Sequence, residues 1–315
     1  MANTDVSQII ATSLRDRSGA LADNITNNNA LLRKINQSGN RKPFAGRDIV
    51  LELHYADNNS VQMYSDYDQI STTPADVISA AVYPVKQLAG SMTISGLEQI
   101  KNSGKAAVID LVEAKMENLE LSLQNELAAQ LYKNGSVAND LNGLQNLVQD
   151  DPTSSESVGG INQATYTFWA NKIYDFSGAG VTASSTTIQA AMNNVWLQCS
   201  RGADMPDCIV ADSTYYNHYW TSLQAIQRIM SDDSGASGFT SLAYLNAPIY
   251  YDSNAPAAHM YMLNSKYLQL RYHPDTNFKA LEPRYAYGQD AMSTIVVWAG
   301  NLVCSNRSLQ GLVLA

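Results

Sequence analysis

The chain has 315 residues, 45% hydrophobic and 16% charged, with a formal net charge of −9 and a pI near 4.8. That length exceeds the ~250–300 residues at which one core stops growing, so two or more packed lobes are expected. The apolar fraction excludes a wholly disordered chain, and the acidic balance excludes a general nucleic-acid glove, whose footprint is a pI above about 9.

Other classes fall on local features. Met1-Ala-Asn-Thr-Asp-Val has no basic region leading into an apolar stretch, so no secretory signal is expected. The longest apolar runs, such as Ile295-Val-Val-Trp-Ala299, fall far short of the ~20 residues that cross a bilayer. Three cysteines, Cys199, Cys208 and Cys304, are an odd number in a long chain and argue against a disulfide framework. A soluble protein made in a reducing cytoplasm is expected. Eighteen tyrosines stand against five phenylalanines. Most aromatic rings therefore carry a polar handle, which suits contact surfaces better than deep cores.

Taken in order, residues 1–44 read as an arm. Val6, Ile9, Ile10 and Leu14 recur at helical spacing, Asn24 and Asn27 to Asn29 break the pattern, and Arg33, Lys34, Arg41 and Lys42 form the one locally basic stretch. Such a segment buries too little to fold alone and is expected to lie across something else.

Ile49, Leu51, Leu53 and Tyr55 then alternate with Val50, Glu52 and His54, a period-2 strand. Asp57-Asn-Asn-Ser60 is a turn cluster, and Val61, Met63 and Ser65 alternate again. Val77 to Leu88 reads as a second extended stretch, with Pro84 making it an edge or bent strand. The whole predicts a long thin hairpin. A two-stranded ribbon is marginal alone in water, so it is expected to lean on a neighbouring chain.

Ile109, Val112, Met116, Leu119, Leu123, Leu127 and Leu131 step by three or four with no Gly or Pro between Lys105 and Lys133. The spacing predicts one long helix over 105–133, acidic on its outer side and stopped by Asn134-Gly135. Helical patterns at 184–199 and 213–230 flank a short buried strand, Cys208–Ala211. Strands are expected at 247–251, 260–263, 267–272 and 293–299. The apolar tail to Leu314 predicts a docked terminal strand.

The search for chemistry returns little. Gly104-Lys105 lacks the earlier glycine and the following Ser or Thr of a phosphate loop. No HExxH, CxxC or G-x-S-x-G is present, so no metal, no cofactor and no catalytic residue is assigned. The remaining enzymatic reading is a hydrolase sited near Asp232, Asp233 and Ser237, in the loop Gly235-Ala-Ser-Gly238. The run Tyr215-Tyr216-Asn-His-Tyr219-Trp220 suits a contact surface, since each buried hydroxyl would need a partner.

The order of parts (polar arm, long hairpin, spine helix, mixed lobe, returning C-terminus) resembles the major capsid protein of tailed bacteriophages, a fold shared with encapsulins and herpesvirus shells. Gly159-Gly-Ile-Asn-Gln-Ala-Thr165 with Phe168-Trp-Ala-Asn171 is similar to the segment after the spine helix in some of these proteins. Gly300-Asn-Leu-Val-Cys-Ser-Asn-Arg307 is similar to the strand that closes the fold.

The resemblance implies an α+β capsid fold with an arm at 1–44 and an extended loop at 45–92. It implies a peripheral domain at 93–178 plus 300–315, with the spine at about 105–133, and an axial domain at 179–299. It also implies a non-enzymatic subunit that forms pentamers and hexamers of an icosahedral head enclosing a DNA genome. The DNA would be enclosed without sequence-specific binding, and no membrane would be involved. An encapsulin-type compartment is the alternative within the fold. The partners implied are other copies, a separate scaffolding protein and a portal; the location is the virion, assembled in the host bacterial cytoplasm. Candidate subunit contacts are Ile49, Leu51, Leu53, Tyr55, Asp57, Asn58, Tyr64, Tyr83, Tyr215, Tyr216, Tyr219 and Trp220.

Overall fold

Helix α1 (Ala30–Gln37) opens the part of the chain that the computed structural model describes, which comprises residues 29–58, 60–69, 76–101, 105–223, 242–285 and 287–315. Asn29 caps this helix: its side-chain oxygen accepts from the N–H of Leu31 at 2.9 Å and of Leu32 at 3.3 Å, satisfying donors that the first turn leaves open. Leu31, Leu32 and Ile35 are buried beneath it.

Strand β1 (Arg41–Pro43) leads to a ribbon of β2 (Asp48–His54) and β3 (Ile78–Pro84). The two are antiparallel, in register from Asp48 opposite Pro84 to His54 opposite Ile78. The expected alternation at Val61–Ser65 forms no strand in the single chain. The expected stretch 77–88 is two strands. Pro84, which has no N–H to give a ladder, ends β3, and β4 (Lys86–Ser95) starts after Val85 with a different partner.

The spine helix α2 runs Lys105–Gln130, ~39 Å at 1.5 Å per residue. Val112, Met116, Leu123 and Leu127 are buried along one stripe, continued by Leu131. Next come β5 (Ser157–Val158), β6 (Ile161–Asn162), β7 (Lys172–Asp175), helix α3 (Ile188–Cys199), β8 (Cys208–Ala211) and helix α4 (Ser213–Ser222). The remainder is strands: β9 (Leu242–Tyr244), β10 (Ala247–Tyr251), β11 (His259–Leu263), β12 (Leu268–Tyr272), β13 (Lys279–Ala280), β14 (Arg284–Tyr285), β15 (Ala291–Cys304) and β16 (Gly311–Leu314).

Two six-stranded sheets result. In the first, β15 is the axis: β12, β13 and β14 pair with successive parts of it, β1 flanks β12, and β4 pairs along ten of its residues. The spine helix packs on β4 at Gly90, where an added Cβ would meet Leu119 and Leu123 side chains.

The second sheet has the order β7-β16-β11-β8-β10-β9. Its period-2 alternation feeds two cores. Ile209, Ala211, Met260, Met262 and Val313 face α3 and α4, while Cys208, Val210, Tyr261, Leu263 and Leu312 join the core that holds spine residues Leu127 and Leu131. Gly311 lets α3 close over β16, since a Cβ there would overlap Val195 and Cys199.

The strand pairing runs across the lobe boundaries expected from sequence. Residue 299/300 falls inside the continuous strand β15. Residues 268–299 belong to the spine-helix sheet rather than to the sheet of β8 and β10, and β16 completes the latter sheet. Hydrophobicity along a chain marks strands, but which sheet a strand joins is decided by pairing between residues far apart.

Candidate assembly interface

The ribbon has two faces. Ile49, Leu51, Leu53, Ala81 and Tyr83 are buried against the body of the chain, Ile49 opposite Tyr83 and Leu51 opposite Ala81. The other face points outward, with Val50 57%, Ile78 56% and Val82 44% exposed, and Val50 lies directly opposite Val82. Past the ribbon, Val61, Met63, Tyr64 and Tyr67 are 83%, 100%, 66% and 101% exposed.

The sequence-predicted contacts therefore separate. Ile49, Leu51, Leu53 and Tyr83 lie inside the subunit. The more apolar face of a period-2 strand serves its own core first, and the outward residues Val50, Ile78 and Val82 were missed for that reason. Tyr55 is half-buried and stacks on Phe168, with ring centroids 5.0 Å apart. Asp57, Asn58 and Tyr64 are exposed; the Asn58 side chain accepts from the Ser60 N–H at 3.0 Å, shaping the turn.

On α4, Tyr215 and Tyr219 are four residues apart and both turn inward. The Tyr219 hydroxyl donates to the Ala243 carbonyl at 2.9 Å, and burial pushes its pKa up to about 12. Tyr216 and Trp220, on the adjoining stripe, are half-buried. Asp232, Asp233 and Ser237 lie outside the described residues. Among the described residues no group of three or more His, Cys, Asp or Glu could hold a metal ion.

The base of the ribbon is clamped by the two segments that the sequence singled out. The Tyr83 hydroxyl donates to the Cys304 carbonyl at 3.0 Å. Asn301, fully buried on β15, donates to the Pro84 carbonyl at 2.8 Å and to the Asn142 side chain at 2.6 Å. Gly159 accepts from the Val82 N–H at 2.9 Å, and an added Cβ at Gly159 would crowd Ala81 and the Tyr83 ring.

Arg307 joins the two segments. Its guanidinium donates to the Leu147 carbonyl at 2.6 Å, to Gln163 Oε1 at 2.9 Å and to Asn171 Oδ1 at 3.2 Å, and it lies 5.9 Å from the Trp169 ring centroid. All three acceptors are neutral. Burial accordingly lowers its pKa to about 10, which leaves it cationic at neutral pH. The cation is held by oriented dipoles and the Trp169 ring, an arrangement that polarises the surrounding amides and fixes their orientation.

No protein-family model matches the sequence, and no curated protein matches it. Solved structures do match. The capsid asymmetric unit of cyanophage A-1(L) superposes with a TM-score of 0.68 at 14% identity, covering 88% of this chain and 90% of that one. The capsid of an empty GTA particle gives 0.58 at 14% identity, covering 90% and 89%. The holo-SrpI encapsulin of Synechococcus elongatus PCC 7942 gives 0.52 at 7% identity, covering 87% and 83%.

The chain has the capsid fold.

The likeness runs over about nine-tenths of the chain. The Arg307 cluster sits beside Tyr83, at the base of the ribbon.

Proposed function

We propose that this chain is the structural subunit of the icosahedral head shell of a tailed phage, assembling into pentamers and hexamers that enclose a DNA genome. The observation that carries this reading is the combination of the capsid fold with a ribbon whose outer face exposes Val50, Ile78 and Val82 among polar residues in the single chain. A ribbon of this kind gains stability by covering that face with another copy. Val50, Ile78 and Val82 supply the contact, together with Tyr55, Asp57, Asn58 and Tyr64 toward the tip. The half-buried Tyr216 and Trp220 offer a second contact on α4.

The acidic balance supports enclosure without adhesion. Glu117 and Glu126 are exposed on the spine helix, and like charge disfavours phosphate contact. Salt-insensitive, tight binding of the purified subunit to duplex DNA would contradict this part of the reading. A separate scaffolding protein and a portal complete the proposed partners, and the virion, assembled in the host cytoplasm, is the proposed location.

The experiment is direct. The full chain is expressed, purified and viewed by negative stain: rings, sheets or closed shells are expected, and a well-behaved monomer under all assembly conditions overturns the proposal. An encapsulin-type compartment is the second reading, supported by the match to the Synechococcus encapsulin. A protein cargo inside shells recovered from the native host favours that reading, and a packaged genome favours the phage.

A further inference from the structure

The sheet built on β15 has two unlike faces. On the face toward the spine helix Met92, Ile94, Val296 and Trp298 are buried. On the other, β4 turns out Gln87, Ala89, Ser91 and Thr93, all exposed, and Ser91 lies opposite Ile295, which is 41% exposed. Directly opposed residues of a ladder share a face, so the pairing shows which side chains join Ile295 there.

Four of them are cations. Arg284 is opposite Ser293, Lys279 opposite Val297, and Arg271 opposite Asn301, with Lys42 beside Arg271. Ser293, Val297 and Asn301 fall at every fourth residue, so the charges step along β15 at ~14 Å and span ~27 Å. Lys42, Lys279 and Arg284 are exposed and Arg271 is half-buried. Among the described residues none of the four makes an ion pair. Among the same residues no Asp or Glu holds a strand position on this face; Asp275 and Glu282 lie in the connections that flank β13. The centre of the row is apolar: Leu281, 44% exposed, gives its N–H to the Ile295 carbonyl at 2.8 Å.

Unpaired cations around an exposed apolar pair, in a chain of net charge −9, complement an acidic partner. Duplex DNA fits this face poorly. A protein–DNA contact is polar and strongly positive throughout, and the acidic remainder of the chain repels a long polyanion beyond the patch. A short acidic segment meets the patch alone. A second copy fits poorly too. Glu117 and Leu121, an exposed acid and leucine one turn apart on the spine helix, lie on the far side of the same sheet, because the helix packs on the buried face at Gly90. A wall one subunit thick keeps the two sides apart.

We propose that this face binds an acidic segment of a separate protein, whose apolar side chains cover Leu281 and Ile295 and whose carboxylates meet Lys279, Arg284, Arg271 and Lys42. The proposal goes beyond the shell reading and rests on it at one point, the exclusion of a second copy. About eight extended residues run the length of the row. Apolar burial holds the segment, and the cations steer it and set its register.

The test measures binding to the full-length unassembled subunit by fluorescence anisotropy. The probes are a labelled glutamate-rich peptide with interspersed leucines, the same peptide with lysine for each glutamate, and duplex DNA. The acidic peptide alone is expected to bind, more weakly as salt rises. Lys279→Glu with Arg284→Glu is expected to weaken it roughly tenfold, and Leu281→Ser to weaken it without changing its salt dependence. Lys133→Glu with Arg201→Glu, an equal change of charge at exposed sites elsewhere, is expected to leave it within about twofold. No binding, or an equal loss in both charge pairs, overturns the proposal. Tighter binding of DNA, lost with Lys279 and Arg284, assigns the face to nucleic acid and overturns it. Assembled shells that reject the peptide while free subunits bind it show the face covered by another copy, and overturn it as well. Peptide binding by a chain that never assembles supports the proposal and overturns the shell reading alone.

Discussion

The Tyr132 hydroxyl donates to Asp252 Oδ2 at 2.7 Å, and the same oxygen accepts from the Asn29 amide at 2.8 Å. Tyr132 follows the spine helix, Asp252 follows β10, and Asn29 caps α1, so one buried carboxylate oxygen joins three elements from distant parts of the sequence. Its other oxygen accepts from the Asn254 N–H at 2.9 Å. Burial, and then the Asp252 charge, raise the Tyr132 pKa well above its ordinary value, which keeps the hydroxyl a donor across the physiological range. Tyr132→Phe is expected to cost about 1.5–3 kcal/mol, the range for a bond to a charged acceptor. Urea unfolding of the unassembled subunit measures it; a loss below about 0.5 kcal/mol would show that the bond is dispensable.

Arg307 is expected to be less replaceable than any exposed charge. Arg307→Met takes the Arg307 donors from the Leu147 carbonyl and Gln163 Oε1, at about 1–3 kcal/mol for each unsatisfied buried group, while Asn171 Oδ1 keeps the Gln149 N–H at 3.1 Å. Arg307→Lys offers a point donor where a fork is required and is expected to recover only part of the loss. Equal midpoints for Lys and Arg in a denaturant titration would refute the fork-based account.

The two faces of the ribbon make opposite predictions. Leu51→Ala on the inner face removes buried methyl groups and is expected to destabilise the subunit by about 2–5 kcal/mol. The double change Val50→Ser and Val82→Ser on the outer face is expected to alter subunit stability by about 1 kcal/mol or less and to reduce assembly yield sharply. Thermal unfolding of the monomer and sedimentation of the assembled product separate the two effects. Reversal of the pattern would mean the faces are assigned the wrong way round.

His259 carries a pH dependence. Its Nε2 lies 3.1 Å from Asp150 Oδ1 and its Nδ1 2.7 Å from the Ala257 carbonyl, with Tyr261 beside the ring. Burial pulls its pKa down, but the bonds to Asp150 and the Ala257 carbonyl and the charges of Asp150 and Asp212 outweigh it, and the net shift is upward from 6.5. A raised folded pKa means that the stabilisation is complete below the unfolded value and is lost as pH rises through the folded one. As pH rises above the ordinary histidine value of about 6.5 the wild-type subunit should lose stability relative to His259→Asn. Parallel pH profiles for the two proteins would rule the linkage out.

Element identity was legible wherever periodicity was strong. The spine spacing placed the helix to within a few residues of its end, and Cys208–Ala211 and Ala247–Tyr251 formed strands at their predicted bounds. Sheet membership was not legible, because the assignment of Leu268–Tyr272 depends on Cys304 and Gly300 across some thirty residues, and that of Leu312 on Tyr261 across about fifty. The tyrosine excess misled at α4 and at Tyr83. The Tyr83 and Tyr219 hydroxyls reach carbonyls inside the fold, so a polar handle signalled interior hydrogen bonding as well as surface contact, while the buried Tyr215 hydroxyl has no hydrogen-bond partner among the described residues. Arg307 was quoted within a motif yet given no role, since nothing in its neighbours' identities announces a buried cation held by amides.

Strand β15 has a consequence for synthesis. It is the axis of one sheet, and β16, a few residues later, sits second from the edge of the other between β7 and β11. Both sheets thus wait on residues 291–314, and their partners, such as β4 and β7, are made more than a hundred residues earlier. Long-range pairing of this kind closes late. A nascent chain therefore holds the ribbon and spine without a finished lobe to carry them. A product released before residue 291 lacks the axis of one sheet and, in the other, the strand that joins β7 to β11, so it is expected to complete neither sheet.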